Sequence, residues 1–192
     1  MLKELFVSEV RVKILKLMLP RPNNQFHVRG LVRAVKTEIN AVRRELLRLT
    51  NLGLLRKRQS GNRLYYTVST TSTYYPELLS LVAKEEGIGA ELIKHIKELG
   101  DVKFAVLSRA FLLGRVSTVL DVDLFIVGSA RVDVLDKLVK DEQQRSHREL
   151  NYTVMPEEEF IFRKRKNDTF ISKVLSQSRT MLVGNEEEFC NI

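Results

Sequence analysis

The sequence predicts an α+β chain of two units, and three observations predict it. Residues 28–52 carry two successive helical apolar patterns, and two β-rich runs around Ser60-Gly61-Asn62 follow them directly. From Lys103 onward the pattern changes to short strand-like runs alternating with helix-like ones. The charge divides in the same way. Through Tyr75 there are 5 Lys and 10 Arg against 4 Glu, a net +11, whereas the remainder contributes −3 to the total of +8. At 192 residues the chain suits two compact units of roughly 100 residues each. We place them at 1–75 and 89–192, with a connecting helix at 76–88.

In the first unit, residues 1–7 are an apolar lead-in. Ser8 caps a helix over 8–19 with Val12, Leu15 and Leu19 inward, and Pro20 and Pro22 end it. A brief strand follows at 26–28, and His27 within it has neither a nucleophile nor a metal partner nearby, so a structural role is expected. Residues 28–35 form a short helix, joined by Lys36 and Thr37 to a longer one over 37–52. In that longer helix Ile39, Val42, Leu46 and Leu49 make one inward stripe. Thr37 is the expected cap and Gly53 the stop. Asn40, Arg43, Arg44 and Arg48 are left outward, with Lys36 and Thr37 just before them, where they reach a phosphate or a base edge. The strand pair 54–59 and 63–68 puts Arg56, Lys57, Arg58 and Arg63 near a hairpin tip, with φ > 0 supplied by Gly61 or Asn62.

Residues 5–68 resemble the winged helix-turn-helix regulators, broadly the arsenic-repressor-like type. The resemblance rests on the helix after Ser8, the strand at Phe26-His27-Val28, the run RRELLRLTNLGLL and the basic hairpin ending LYYTV. It implies binding to double-stranded DNA, with the long helix in the major groove and the hairpin as a wing beside it. Positive charge concentrated in this unit is the electrostatic footprint of such a partner.

Residues 69–75 are polar and read as the boundary, and Pro76 opens the connecting helix. Its Leu78, Leu79, Leu81 and Val82 cover more than one face, which points to burial against both domains or against a second subunit in a homodimer. Gly87 and Gly89 stop it, and a helix over 90–99 begins the second unit. Strands are expected at 104–107, 121–127, 149–154 and 180–183, with helices at 132–145, 156–163 and 168–176. Residues 105–128 resemble the core of the DNA polymerase β-like nucleotidyltransferases in their small form, in which a Gly-Ser turn holds triphosphate and an Asp-x-Asp strand holds Mg²⁺. Asp121 and Asp123 match the carboxylate pair, and Phe111 and Gly114 match later turn positions. The Gly-Ser pair falls on Arg109 and Ala110, and the third carboxylate on Asn151. The resemblance therefore implies a degenerate, catalytically silent site, in which Arg109, with Arg115 as second candidate, neutralises Asp121 or Asp123.

The fold class is thus a two-domain α+β chain: an N-terminal winged helix-turn-helix, then a nucleotidyltransferase-like α/β domain with a small mixed sheet. We expect a DNA-binding transcriptional regulator with no catalytic residues, no cofactor and no metal, working as a homodimer. Its second domain would serve assembly or sensing toward an effector, small molecule or protein, whose class is open. The rivals are an active nucleotidyltransferase and a protein-interaction module. With no apolar run near ~18 residues and no leader pattern, a cytoplasmic protein without membrane contact is expected. Cys190 is the lone cysteine and has no disulfide partner in the chain.

Overall fold

The computed structural model describes residues 2–116, 118 and 121–191; Met1, Ser117, Val119, Leu120 and Ile192 lie outside the described residues. Two compact units divide at Glu85/Glu86.

The first unit opens with a short helix α1 (Leu2–Phe6), where the sequence suggests only a lead-in. Helix α2 (Glu9–Met18) follows, capped by the Ser8 hydroxyl, which accepts from Arg11 N at 3.3 Å. Strand β1 (Phe26–His27) leads without a loop into α3 (Val28–Val35), and Lys36 turns the chain in the left-handed region, φ 50°, toward α4 (Ile39–Asn51). Strands β2 (Leu55–Ser60) and β3 (Arg63–Val68) form the hairpin, and β1 adds to it to give an antiparallel sheet in the order β1-β3-β2. Ser60 pairs with Arg63, so the turn is the two residues Gly61-Asn62. Only Gly61 has positive φ, 56°, the position where a type II′ turn needs a glycine.

The core of this unit is built from the stripes read in the sequence. Val12, Leu15, Leu19, Val42, Leu46 and Leu49 are all buried, joined by Ile14, Met18, Leu31 and Leu54. Ile39, at the first turn of α4, is only half-buried. Helix α5 (Tyr75–Glu85) belongs to this unit rather than standing as a connector. Its first residue explains why. Tyr75 is buried and its hydroxyl donates to Leu19 O, while Ser69 in the supposed boundary is buried and donates its N–H to Leu54 O.

The second unit begins with α6 (Gly87–Lys94) and α7 (Ile96–Leu99), one expected helix broken at His95. Gly87, with φ 65°, does separate α5 from α6, but Gly89 is buried inside α6 and stops nothing. Then come β4 (Gly100–Ser108), α8 (Arg109–Leu112), β5 (Leu124–Ala130), α9 (Val132–Ser146) and β6 (Tyr152–Met155). Helices α10 (Glu157–Arg165) and α11 (Thr169–Ser176), strand β7 (Arg179–Val183) and a further helix α12 (Glu186–Cys190) complete it. The sheet order is β6-β5-β4-β7, with β5 and β6 parallel and the other pairs antiparallel, so it is small and mixed.

Period-2 alternation divides this sheet between two apolar layers. Ala105, Leu107, Leu124 and Ile126 face one cluster, with Ile88, Leu92, Leu135 and Val139 from α6 and α9. Phe104, Val106, Phe125 and Val127 face the other, with Phe160, Ile171, Val174 and Phe189 from α10, α11 and α12. The run LFIV is apolar at every position because it is covered on both sides. The expected strand 121–127 therefore begins only at Leu124, and the expected strand 149–154 only at Tyr152.

Candidate functional site

Two places carry the residues singled out in the sequence, one in each unit. In the first, α4 turns Val42, Glu45, Leu46 and Leu49 inward. Asn40, Arg43, Arg44, Leu47 and Asn51 are exposed on the opposite side. Arg43 and Arg44 form no hydrogen bond or ion pair within the described residues, so both guanidinium groups remain open to an outside partner.

The helix start differs from expectation. Glu38, not Thr37, is the cap: its carboxylate accepts from Asn40 N and Ala41 N, both at 2.9 Å. Those hydrogen bonds, first Asn40 and then Ala41, hold the Glu38 carboxyl below its ordinary pKa. Thr37 instead donates its hydroxyl to Val35 O at 3.0 Å, closing the turn after α3, and is half-buried. Lys36 stays exposed on that turn.

Arg48 is drawn away from the outward face. Its guanidinium pairs with Glu45 at 3.0 Å, and Glu45 also accepts from Arg11 Nε at 2.8 Å and from the Ser8 hydroxyl at 3.0 Å. Glu45 is 5% exposed. Burial works to raise its pKa, and the hydrogen bonds from Arg11 and Ser8 outweigh it, so the net direction is down. This buried junction ties the start of α2 to the middle of α4 and fixes the angle at which the outward face is presented.

The hairpin cations are not placed as one group. Leu55 pairs with Val68 and Lys57 with Tyr66, so Lys57 shares the face of the strand that carries the buried tyrosine. Arg58 pairs with Tyr65 and Ser60 with Arg63, so Arg58 and Arg63 share the other face. Arg56 lies on that second face but at the hairpin base, where it donates to Ser69 Oγ at 3.2 Å and Thr71 Oγ1 at 2.9 Å. It is a strut, not a tip residue. His27 is structural as read: its ring stacks on Tyr65 with centroids 6.2 Å apart, and a Cβ on Gly30 of α3 would come within 2.7 Å of it. Gly30 is in a helix because the imidazole lies where a side chain would go.

In the second unit a cleft of about 410 Å³ is lined by Ser108, Arg109, Arg115, Asp121, Asp123 and Gln177 among others. The topology thus gathers Arg109, Ala110, Asp121 and Asp123, and Asn151 adjoins them. Their bonding is not the expected one. Arg109 forms no ion pair among the described residues: its main-chain N–H is held by Ser178 O at 2.9 Å, and its Nε is buried without a hydrogen-bond partner. Lys173 of α11 takes the role expected of it, with Nζ 3.4 Å from Asp121 Oδ1. Nor does Arg115 pair with either aspartate among the described residues; its carbonyl accepts from Arg148, whose guanidinium also reaches Phe111 O and lies over the Phe111 ring at 4.5 Å.

Both aspartates precede β5 rather than standing on it. Asp121 accepts from Thr118 N at 2.9 Å and Thr118 Oγ1 at 2.8 Å, and these bonds, the main-chain one first, lower its pKa. Asp123 is 2% exposed and accepts from Asn151 N at 3.0 Å. Asn151 in turn donates its side-chain amide to Thr118 O at 2.8 Å, a bond that an ionised carboxylate at this position could not donate.

These residues do not fit the Mg²⁺ that the nucleotidyltransferase resemblance implies. That ion needs convergent anionic oxygens in octahedral geometry. Here Asp121 is turned to Thr118 and Lys173, Asp123 to a main-chain N–H, and the third position is an amide donating elsewhere. Among the described residues no group of three or more His, Cys, Asp or Glu is placed to hold a metal ion. Nor, among them, is any helix long and apolar enough to cross a membrane. Lys173 and Arg148 leave no signal in the sequence, since long-range partners have no local spacing, whereas Thr118 lies only three residues before Asp121 and is masked by reading 121–127 as a strand.

No protein-family model matches the chain, and no curated protein matches it. Among solved structures, reduced HlyU from Vibrio cholerae N16961 is similar at 24% identity, over 44% of this chain and 80% of that one, with a TM-score of 0.34. That superposition is too loose to carry a fold or a function.

Proposed function

We propose that the chain is a sequence-specific DNA-binding transcriptional regulator of the winged helix-turn-helix type, whose second unit does not transfer nucleotides. The observation that carries this reading is the outward face of α4: Asn40, Arg43 and Arg44 stand exposed, with both guanidinium groups uncommitted, on a helix locked by the Glu45 junction. In the reading, Asn40, Arg43 and Arg44 meet base edges, while Arg58, Arg63 and Lys57 meet phosphates on either side of the wing. Arg48 and Arg56 serve the frame instead. A homodimer on a two-fold site completes the proposal, since one such helix reads only a few base pairs. Sedimentation of the full chain with and without its selected DNA tests that part, and a monomer in both conditions would remove it.

The test of DNA binding is selection from a random duplex pool, followed by titration of the selected site at several salt concentrations. We expect enrichment of one motif and a linear fall of log affinity with log salt. Equal affinity for every duplex after Arg43→Ala and Arg44→Ala, with no motif enriched by the wild type, would sink the reading. Silence of the second unit is tested separately. Incubation with Mg²⁺ or Mn²⁺ and each labelled nucleoside triphosphate, alone and with cell extract, is expected to give no transfer. Label transfer lost in an Asp121→Ala, Asp123→Ala variant would establish the enzyme instead.

A further inference from the structure

The outward line of α4 holds one residue that neither hydrogen bonding nor charge accounts for. At about 100° per residue, Asn40, Arg44, Leu47 and Asn51 all project within about 30° of the direction opposite the buried set Val42, Glu45, Leu46 and Leu49. Leu47 is 54% exposed there, so the core makes little use of it. It stands two turns after Asn40, about 10 Å along the helix, a distance on the order of three base-pair steps.

If α4 enters the major groove, the residue at the centre of its outward line must meet the floor of that groove. The edges of the base pairs there are hydrogen-bond donors and acceptors, apart from the C5-methyl group of thymine and the much smaller C5–H of cytosine. A leucine pressed against a donor or acceptor would strip its water and offer nothing in return. Against a thymine methyl it buries apolar surface on both sides. We propose that Leu47 is a specificity-determining residue that selects thymine through its C5-methyl group, at a position some three base pairs from the one read by Asn40. The inference rests on the DNA-binding reading above and names what part of the sequence an uncharged residue reads.

The experiment uses the full chain and a duplex selected from a random pool. Each thymine of the selected site is replaced in turn by deoxyuridine, which removes the methyl and nothing else, and affinity is read by fluorescence anisotropy. One replacement is expected to weaken the wild type about fourfold, the effect of one buried methyl-sized group. Leu47→Ala, a change at an exposed site that leaves the fold intact, is expected to bind the thymine and deoxyuridine duplexes equally. Arg43→Ala serves as the separating variant. A flat deoxyuridine scan in the wild type, alongside an altered base preference in Arg43→Ala, overturns the role of Leu47 and leaves DNA reading standing. Leu47→Ala that weakens every duplex alike, or that retains the deoxyuridine sensitivity, also overturns it, as does loss of self-association by Leu47→Ala with a flat scan. Failure of any motif to enrich removes both readings together.

Discussion

The two units treat their polar side chains in opposite ways. On α4 the groups at the outward face are left open, and the bonds that hold them in place are made behind them, by Glu45 with Ser8, Arg11 and Arg48. In the cleft of the second unit the aspartates are turned onto the protein itself, Asp121 onto Thr118 and Lys173 and Asp123 onto the main chain at Asn151. Open groups on a fixed frame keep all their donors available, whereas these carboxylates have part of their acceptor capacity engaged within the protein. The difference separates a surface whose polar groups face outward from one whose polar groups are bonded within the fold.

The sharpest way to break this contrast is to remove the frame and leave the face. Glu45→Ala strands Arg11 against a partly buried gap and is expected to destabilise the first unit by about 3 kcal/mol in a urea melt. Arg43→Ala and Arg44→Ala, by contrast, should change stability by less than about 0.5 kcal/mol while losing about 1–3 kcal/mol of discrimination at a specific base. Acid provides the same test without mutation. Because the folded Glu45 pKa lies below its unfolded value, its contribution is complete above the ordinary value of 4.5 and is lost as pH falls through the depressed folded value. The difference in stability between wild type and Glu45→Ala should therefore shrink with acid over that window; a difference independent of pH would deny the junction its charge.

In the second unit the corresponding change is Asn151→Asp, which restores the third carboxylate. It removes the amide donor to Thr118 O and sets an anion near Asp121 and Asp123, so a loss of about 2 kcal/mol is expected in the melt. Millimolar Mg²⁺ should not recover it. Recovery by Mg²⁺ would mean that the cleft still gathers its carboxylates around a metal.

Smaller effects distinguish the hairpin cations from one another. Arg58→Ala with Arg63→Ala should weaken all duplexes alike and reduce the salt slope by about 1.8, the value for two lost phosphate contacts. Arg56→Ala should leave the slope unchanged and cost less than about 1 kcal/mol of stability, through the bonds to Ser69 and Thr71. A slope change in Arg56→Ala equal to that of Arg58→Ala would return Arg56 to the contact surface.

What was legible in the sequence was periodic. The stripe of Val42, Leu46 and Leu49, the helix over Val28–Val35, and the hairpin at Gly61 all repeat at the spacing their backbone imposes, so each was found within a residue or two. What was not legible depended on distant partners. Thr37 and Glu38 are both credible caps, and the choice between them turns on the left-handed Lys36 before them. Arg56 reads like its neighbours until Ser69 and Thr71 return beside it. Arg109 is the expected partner of Asp121 or Asp123 because it falls at the Gly-Ser turn position of the resemblance, yet Asp121 pairs with Lys173, supplied by a helix 52 residues further on.

The register of the hairpin also limits how this protein can change over generations. Leu55 against Val68 and Lys57 against Tyr66 anchor one face of the strands to the body, and every residue beyond them inherits its side from that anchor. A single inserted residue between Lys57 and Arg58 would carry Arg58 to the opposite face and dissolve its alignment with Arg63. Lineages that lengthen or shorten this hairpin while keeping its cationic side should therefore do so by even numbers of residues in each strand, and odd changes should be accompanied by a bulge that restores the alternation.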